Sequence, residues 1–168
     1  MLESENIYLG LGSNQGDREQ LMAQAIELLS VALGAPVSLS STIETEAWGF
    51  VSPNPFLNMV ACFSVTVEPM ELLRITEDVE RRLGRKTKSV GGVYSDRPID
   101  IDILFYGDRI ISTERLTVPH PRLHERLFVL APLAEIAPLL MHPLLGKSVS
   151  ELKDSLLSTP RFKRLMAR

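Results

Sequence analysis

The spacing of apolar residues along the chain switches between a period of two and a period near 3.6, and the switches set out an order of elements. Ile7 to Leu11 is a short apolar run that Gly12-Ser13-Asn14 closes with a turn signal, so a strand and then a turn are expected. Asp17 followed by Gln20 reads as a capping box. Leu21, Ala25, Leu28, Leu29 and Ala32 then recur at helical spacing as far as Gly34, a suitable stop. Val37 to Glu46 is extended and β-branched, a second strand, and residues 47–55 form a loop rich in Pro and Gly. Leu57 to Val67 reads as a third strand, antiparallel to the second. Glu68-Pro69 opens a second helix whose buried stripe is Leu72, Ile75 or Thr76, Val79 and Leu83, with Gly84 at its end. Residues 85–96 are basic and glycine-rich without an apolar period, hence a loop, and Ile99 to Phe105 alternates as a fourth strand. Shorter helices are expected over Arg126 to Leu133 and Val149 to Leu157, and residues 160–168 are a basic, peripheral end.

Strand, helix, strand, strand, helix, strand predicts an α+β fold: a ferredoxin-like βαββαβ sandwich with C-terminal helical additions. Its helices would cover one face of a mainly antiparallel sheet and leave the other to a ligand. Length supports one domain over residues 1–168, and no internal repeat interrupts it. Hydrophobic residues make up 45% and charged residues 23%, ordinary for a globular protein. A net charge of −3 argues against a general nucleic-acid or membrane-surface binder. The single cysteine, Cys62, reads as core in a reducing compartment. With no signal-like N-terminal stretch and no long apolar run, a cytoplasmic location is expected.

Candidate chemistry gathers on the fourth strand. Alternation puts Asp100 and Asp102 on one face and Ile99, Ile101, Ile103 and Phe105 on the other. Two carboxylates about 7 Å apart repel unless a cation lies between them, and Mg²⁺ favours one or two carboxylates together with substrate phosphates. A solvated strand face is the plain alternative for such a pair. The flanking Arg97 and the following Val118-Pro119-His120-Pro121 favour a polyanionic, metal-bound ligand such as a nucleoside triphosphate. Between residues 81 and 97, Arg81, Arg82, Arg85, Lys86, Lys88 and Arg97 face one acid, Asp96, a local basic patch suited to a small anion. The Gly12 turn lacks the lysine and spacing of a P-loop. Trp48, Phe50 and Phe56 could stack on a planar ligand or pack their loop onto the core. Glu77 and Glu80 share an exposed helix face, where solvation and Arg81 account for them. Outside the Val-Pro-His context, His124 and His142 read as surface residues.

Five pieces recur in order: Gly12-Ser13-Asn14, Phe56-Leu57-Asn58, Glu80 with Gly84-Arg85, Arg97-Pro98-Ile99-Asp100-Ile101-Asp102, and Leu116-Thr117-Val118-Pro119-His120 leading to Arg126 and Phe128. By them the chain, from about Tyr8 to Pro143, resembles the 6-hydroxymethyl-7,8-dihydropterin pyrophosphokinase family of folate biosynthesis. It implies transfer of the β,γ-pyrophosphoryl unit of ATP to the hydroxymethyl oxygen of the pterin, with release of AMP. It also implies two Mg²⁺ ions held by Asp100 and Asp102, with Arg85, Arg97 and His120 as further catalytic groups. Arg85, Arg97, Arg115, His120 and Arg126 would surround the phosphates, and Glu77, Glu80, Ile103 and Thr117 would line the nucleotide pocket. The pterin would stack between Phe56 and Phe128, close to Asp100, with Asn58 and the backbone from Thr45 to Trp48 reading its polar edge. ATP and the pterin are the expected partners, with no nucleic acid or membrane; a monomer is expected and a homodimer stays open. Tyr94 stands where many members carry Trp, and Ala47 and Pro121 stand where Pro and an aromatic are common.

Two other classes compete. A nucleotide-sugar glycosyltransferase also grips a metal diphosphate with Asp-x-Asp, but 168 residues is short for one and no sugar-binding region is evident. A ferredoxin-like ligand-sensing or RNA-binding module predicts exposed aromatics on its central strands, where this chain has acids.

Overall fold

The structure, a computed structural model, describes residues 3–45, 55–84 and 98–160. Strand β1 (Glu5–Ser13) sends Ile7, Leu9 and Leu11 into the core. It runs two residues past the expected end, so Gly12-Ser13 belongs to the strand and the turn follows. Gly12 lies in register with Asn58 on one side and Asp100 on the other, and this double pairing outweighs the poor strand preference of glycine.

Helix α1 (Arg18–Leu33) starts as expected, with the Asp17 carboxylate accepting from the Gln20 N–H at 3.1 Å, and ends at Gly34, whose φ of +93° suits glycine. Its buried residues are Met22, Ala25 and Leu29, with Ile26 and Leu33 packed beside them, whereas Ala32 is exposed. Ala25, Leu28 and Leu29 are thus on the core side as expected, and the change is at the ends, where Met22 is buried instead of Leu21 and Leu33 packs instead of Ala32, an i, i+3, i+7, i+11 row.

The expected second strand is divided into β2 (Ser38–Leu39) and β3 (Ile43–Thr45), both antiparallel to β4 (Phe56–Val65). Two serines make the break. Ser40 grips Val60 through its N–H and its hydroxyl, and Ser41 turns away to bond Glu135 through its N–H and hydroxyl at 3.0 and 2.8 Å. Those two bonds hold the Glu135 carboxyl below its usual range.

Helix α2 (Pro69–Arg82) leads to strand β5 (Asp100–Tyr106), a two-stranded ribbon of β6 (Ile111–Ser112) and β7 (Thr117–Val118), a 3-10 turn at Leu123–Glu125, and helices α3 (Leu127–Ile136) and α4 (Val149–Leu157). The main sheet runs β2-β4-β1-β5, antiparallel throughout, with β3 also on β4. Apolar residues of β1, β4 and β5 meet α1 and α2 on one face. On the other, Tyr8, Val60, Cys62, Leu104 and Phe105 meet Leu130 and Leu133 of α3 and Leu152 of α4. The face expected to lie open is thus half covered, and only its Asp100 end is left to a ligand.

Phe105 belongs to this second core, not to the isoleucine face. Leu9 pairs with Ile103 and Tyr8 with Phe105, so Leu104 is an extra residue in a β-bulge that reverses the alternation beyond it. His142, expected at the surface, is 4% exposed. Its Nδ1 accepts from the N–H groups of Leu144 and Leu145, and its ring meets Phe105 edge-on at 5.7 Å. Cys62 is buried, as the sequence suggested. Burial pushes its thiol up and the neighbouring Tyr8 hydroxyl up to about 12, so neither ionises in the neutral range. No described helix is long and apolar enough to cross a membrane.

Candidate active site

Two rows of residues crossing the sheet build the site. In one, Asp100 on β5 faces Gly12 on β1, which faces Asn58 on β4; in the next, Asp102 faces Gly10, which faces Val60. Each aspartate therefore has a glycine as its cross-strand neighbour, and the central strand presents backbone alone over two positions. Two strand spacings, about 9.5 Å, separate the acid end from the Asn58 end. That span accommodates a flat bicyclic ligand lying on bare backbone. A Cβ on Gly12 would sit 3.0 Å from Asn58 Oδ1, and one on Gly10 3.4 Å from the Leu104 side chain. The two glycines keep the floor clear. In sequence Gly12 reads as part of a turn and Gly10 has no role of its own; the signal for both is their i, i+2 spacing on the aspartate-facing side.

The cleft above this floor is lined by Thr45, Phe56, Asn58, Asp100, Asp102, Arg126 and Phe128, together with Leu104 and Val129. Asn58 is buried, and its Nδ2 donates to Thr45 Oγ1 at 2.8 Å. This orients the amide with its oxygen on the Gly12 side, ready to accept from a ligand N–H. The Arg18 guanidinium donates to the Pro55 carbonyl at 2.9 Å and to Glu44 at 3.0 Å, fastening the strand ends that carry Thr45 and Phe56. From the opposite wall, Arg126 is 6% exposed and its guanidinium lies 5.7 Å from the Phe128 ring centroid, a cation–π contact that holds both at the mouth of α3.

Of the described residues expected around the nucleotide, Arg126 lines this cleft, whereas Glu77, Glu80, Ile103, Arg115, Thr117 and His120 are not among its lining. His120 is half-buried, and its backbone N–H donates to the Leu104 carbonyl at 3.0 Å, tying it to β5. His120 Nδ1 accepts from the Arg122 N–H at 3.2 Å, which leaves Nε2 as the proton-bearing nitrogen of the neutral ring. Thr117 is exposed on β7. Arg115 pairs with Glu77 at 2.9 Å. Ile103 packs its side chain into the α1/α2 core.

Glu80 does not share the solvated face of Glu77. It is 2% exposed, and its carboxylate accepts from the Ile101 N–H at 2.8 Å. The reason is angular: Glu80 follows Thr76 and Val79 at i+4 and i+1 on the buried side of α2, while Arg81 turns outward to Asp78. Trp48, Arg85 and Arg97 fall outside the described residues, as do Phe50 and Tyr94.

The donor set at the acid end suits a hard dication. Asp100 and Asp102 are half-buried at the cleft, and among the described residues no group of three His, Cys, Asp or Glu side chains forms a closed metal cage. Two carboxylates with room for further oxygen ligands match what Mg²⁺ takes when a phosphate ligand completes its shell.

Comparison with known proteins agrees with this architecture. Crystal structures of Plasmodium falciparum HPPK-DHPS superpose on the chain; that of the wild type with pteroate gives a TM-score of 0.76 at 16% identity, covering 100% of this chain and 45% of that one. Among sequences, a 2-amino-4-hydroxy-6-hydroxymethyldihydropteridine pyrophosphokinase of Porphyromonas gingivalis is 50% identical over 139 residues, 82% of this chain and 93% of the relative. Its counterpart from Aquifex aeolicus is 44% identical over 147 residues, 88% of this chain and 89% of the relative. The family model described as 7,8-dihydro-6-hydroxymethylpterin-pyrophosphokinase (HPPK) matches residues 8–138, a span that takes in the main sheet from Tyr8 of β1 onward and every lining residue of the cleft. With its glycine-floored cleft, its aspartate pair and relatives this similar over most of their length, the chain belongs to the 7,8-dihydro-6-hydroxymethylpterin pyrophosphokinase family and is an enzyme of folate synthesis.

Proposed function

We propose that the chain transfers the β,γ-pyrophosphoryl unit of ATP to the hydroxymethyl oxygen of 6-hydroxymethyl-7,8-dihydropterin. The observation that carries this reading is the cleft itself, a bare two-glycine floor with an oriented amide at one end and two carboxylates at the other. The pterin lies on Gly10 and Gly12 between Phe56 and Phe128, with its amide edge toward Asn58. Its hydroxymethyl group then points at the acid end. The hydroxymethyl oxygen attacks the β-phosphorus in line, an O–P bond forms, the bond from the β-phosphorus to the α,β-bridging oxygen breaks, and AMP departs. The hydroxyl proton passes to solvent, since among the described residues of the cleft the only carboxylates are Asp100 and Asp102, which are given to the metal.

Asp100 and Asp102 would hold two Mg²⁺ ions. When bound, the ions offset the charge that builds on the phosphate oxygens. The remaining work is positioning. Arg126 sits where its guanidinium can steady a phosphate from the α3 side, and Arg85, Arg97 and Arg115 are assigned the same task from the resemblance to the family. His120 Nε2 carries the proton it can donate toward the departing AMP. Glu77 reaches the nucleotide through Arg115, and Ile103 and Thr117 offer backbone and hydroxyl groups to the base. Strand order and the pairing of α1 with α2 support the ferredoxin-like arrangement. The chain would act as a single domain and as a monomer, with a homodimer as the alternative.

Asp100→Ala and Asp102→Ala test the reading. Both variants should fold with an unchanged melting temperature, because the side chains are half-buried and outside the core, and both should lose turnover in the presence of Mg²⁺. Near-normal rates in either would contradict the assignment.

A further inference from the structure

Strand β5 is the edge of the main sheet, so its outward backbone groups need partners from beyond the sheet. At the Asp100 end that partner is Glu80 of α2, whose Oε2 lies 2.8 Å from the Ile101 nitrogen. Glu80 is 2% exposed and Ile101 is 1% exposed, so the bond is sealed from water. Burying a carboxylate is costly unless its contacts need it there. Ile101 is the residue between Asp100 and Asp102, and its N–H belongs to the peptide that joins it to Asp100. Fixing that peptide plane restricts the backbone at Asp100 and at Ile101, and through Ile101 it limits where the following Asp102 can stand. Farther along the same edge, the Leu104 carbonyl is held by the His120 N–H at 3.0 Å. The edge strand is thus pinned on both sides of Asp102.

We propose that Glu80 is a positioning residue for the aspartate pair: through the Ile101 N–H it sets the spacing at which Asp100 and Asp102 meet a divalent cation. The inference rests on the reading of that pair as the Mg²⁺ seat. Carboxylates that orient metal ligands from behind act at this remove, and losing one costs roughly 10–100-fold in metal affinity.

The test uses the full chain and two conservative variants. Glu80→Asp withdraws the acceptor by one methylene, and Glu80→Gln keeps an acceptor oxygen at the same reach. Binding of α,β-methylene ATP is titrated calorimetrically over a range of Mg²⁺ concentrations, and binding of the pterin without metal is measured in parallel. Glu80→Asp should raise the Mg²⁺ midpoint by roughly tenfold or more while metal-free pterin binding holds. Glu80→Gln should recover most of that loss. The proposal is overturned if Glu80→Asp takes up Mg²⁺ like the wild type, if Glu80→Gln loses as much as Glu80→Asp, or if pterin binding falls in step, the mark of a purely structural role. Asp100→Ala separates the two layers: if it leaves the Mg²⁺ response intact, the pair is not the seat and both readings fall. If it abolishes the response and Glu80→Asp does not disturb it, the positioning role alone fails.

Discussion

Gly12 and Asn58 meet across the β1–β4 ladder with no slack, since the position of a Gly12 Cβ is 3.0 Å from Asn58 Oδ1. An alanine there must push the amide off the Thr45 hydroxyl that orients it or tilt the strand, at a cost of about 1–3 kcal/mol. Gly12→Ala should therefore weaken pterin binding by roughly tenfold or more, and leave nucleotide binding little changed. Equal losses for both ligands would show that the glycine serves the sheet rather than the floor. Phe128 tests the opposite wall. Its ring lines the cleft and carries the buried Arg126 above it, so Phe128→Ala removes a stacking surface worth about 1 kcal/mol beyond area burial. Pterin affinity measured by fluorescence should fall more than ATP affinity, and parallel losses would remove the stacking role.

At the scale of elements, the turn between α3 and α4 carries a built-in acid sensitivity. His142 Nδ1 accepts two backbone N–H groups, and burial, with the His124 charge adding to it, lowers the His142 pKa from its ordinary 6.5. A lowered folded-state value means that the unfolded chain binds the proton more readily. The contribution is present in full above about pH 6.5 and is lost as the pH falls below that toward the folded value. His142→Asn keeps an acceptor and removes the titration. Its melting temperature should decline less steeply than that of the wild type on acidification from neutral pH; identical slopes would place the acid sensitivity elsewhere.

Elements were legible in the sequence where local chemistry decides them. Asp17, Gly34, Pro69 and Gly84 each mark a helix boundary, and each effect is confined to one turn of chain. What escaped depends on pairing at a distance. The bulge at Leu104 exists only because β5 must match β1, so Phe105 could not be assigned its face from alternation alone. Glu80 and His142 carry polar side chains that sequence statistics send to the surface; Glu80 is buried where the Ile101 N–H of β5 needs an acceptor, and His142 where its ring packs on Phe105. Ser40 and Ser41 divided a strand that reads as continuous, through bonds to Val60 and Glu135 that no local pattern announces. At the site, Asp100 and Asp102 were plain from their spacing, whereas the two glycines opposite them acquire meaning only in register.

On the scale of the whole molecule, one sheet serves two cores and a cleft. Helices α1 and α2 pack on one face, and α3 and α4 cover the other as far as Leu104 and Val129, which also line the cleft. The acid end of the cleft lies at the sheet edge, beside the segment that carries His120. In the proposed reaction a planar acceptor would lie inside this cleft and a triphosphate would approach from outside, at the acid end. The most direct measurement is phosphorus NMR of the protein with ATP, Mg²⁺ and 6-hydroxymethyl-7,8-dihydropterin. The account predicts AMP and a pterin diphosphate appearing in equal amounts, with neither formed after chelation of the metal. ADP with a pterin monophosphate, or turnover unaffected by chelation, would contradict it.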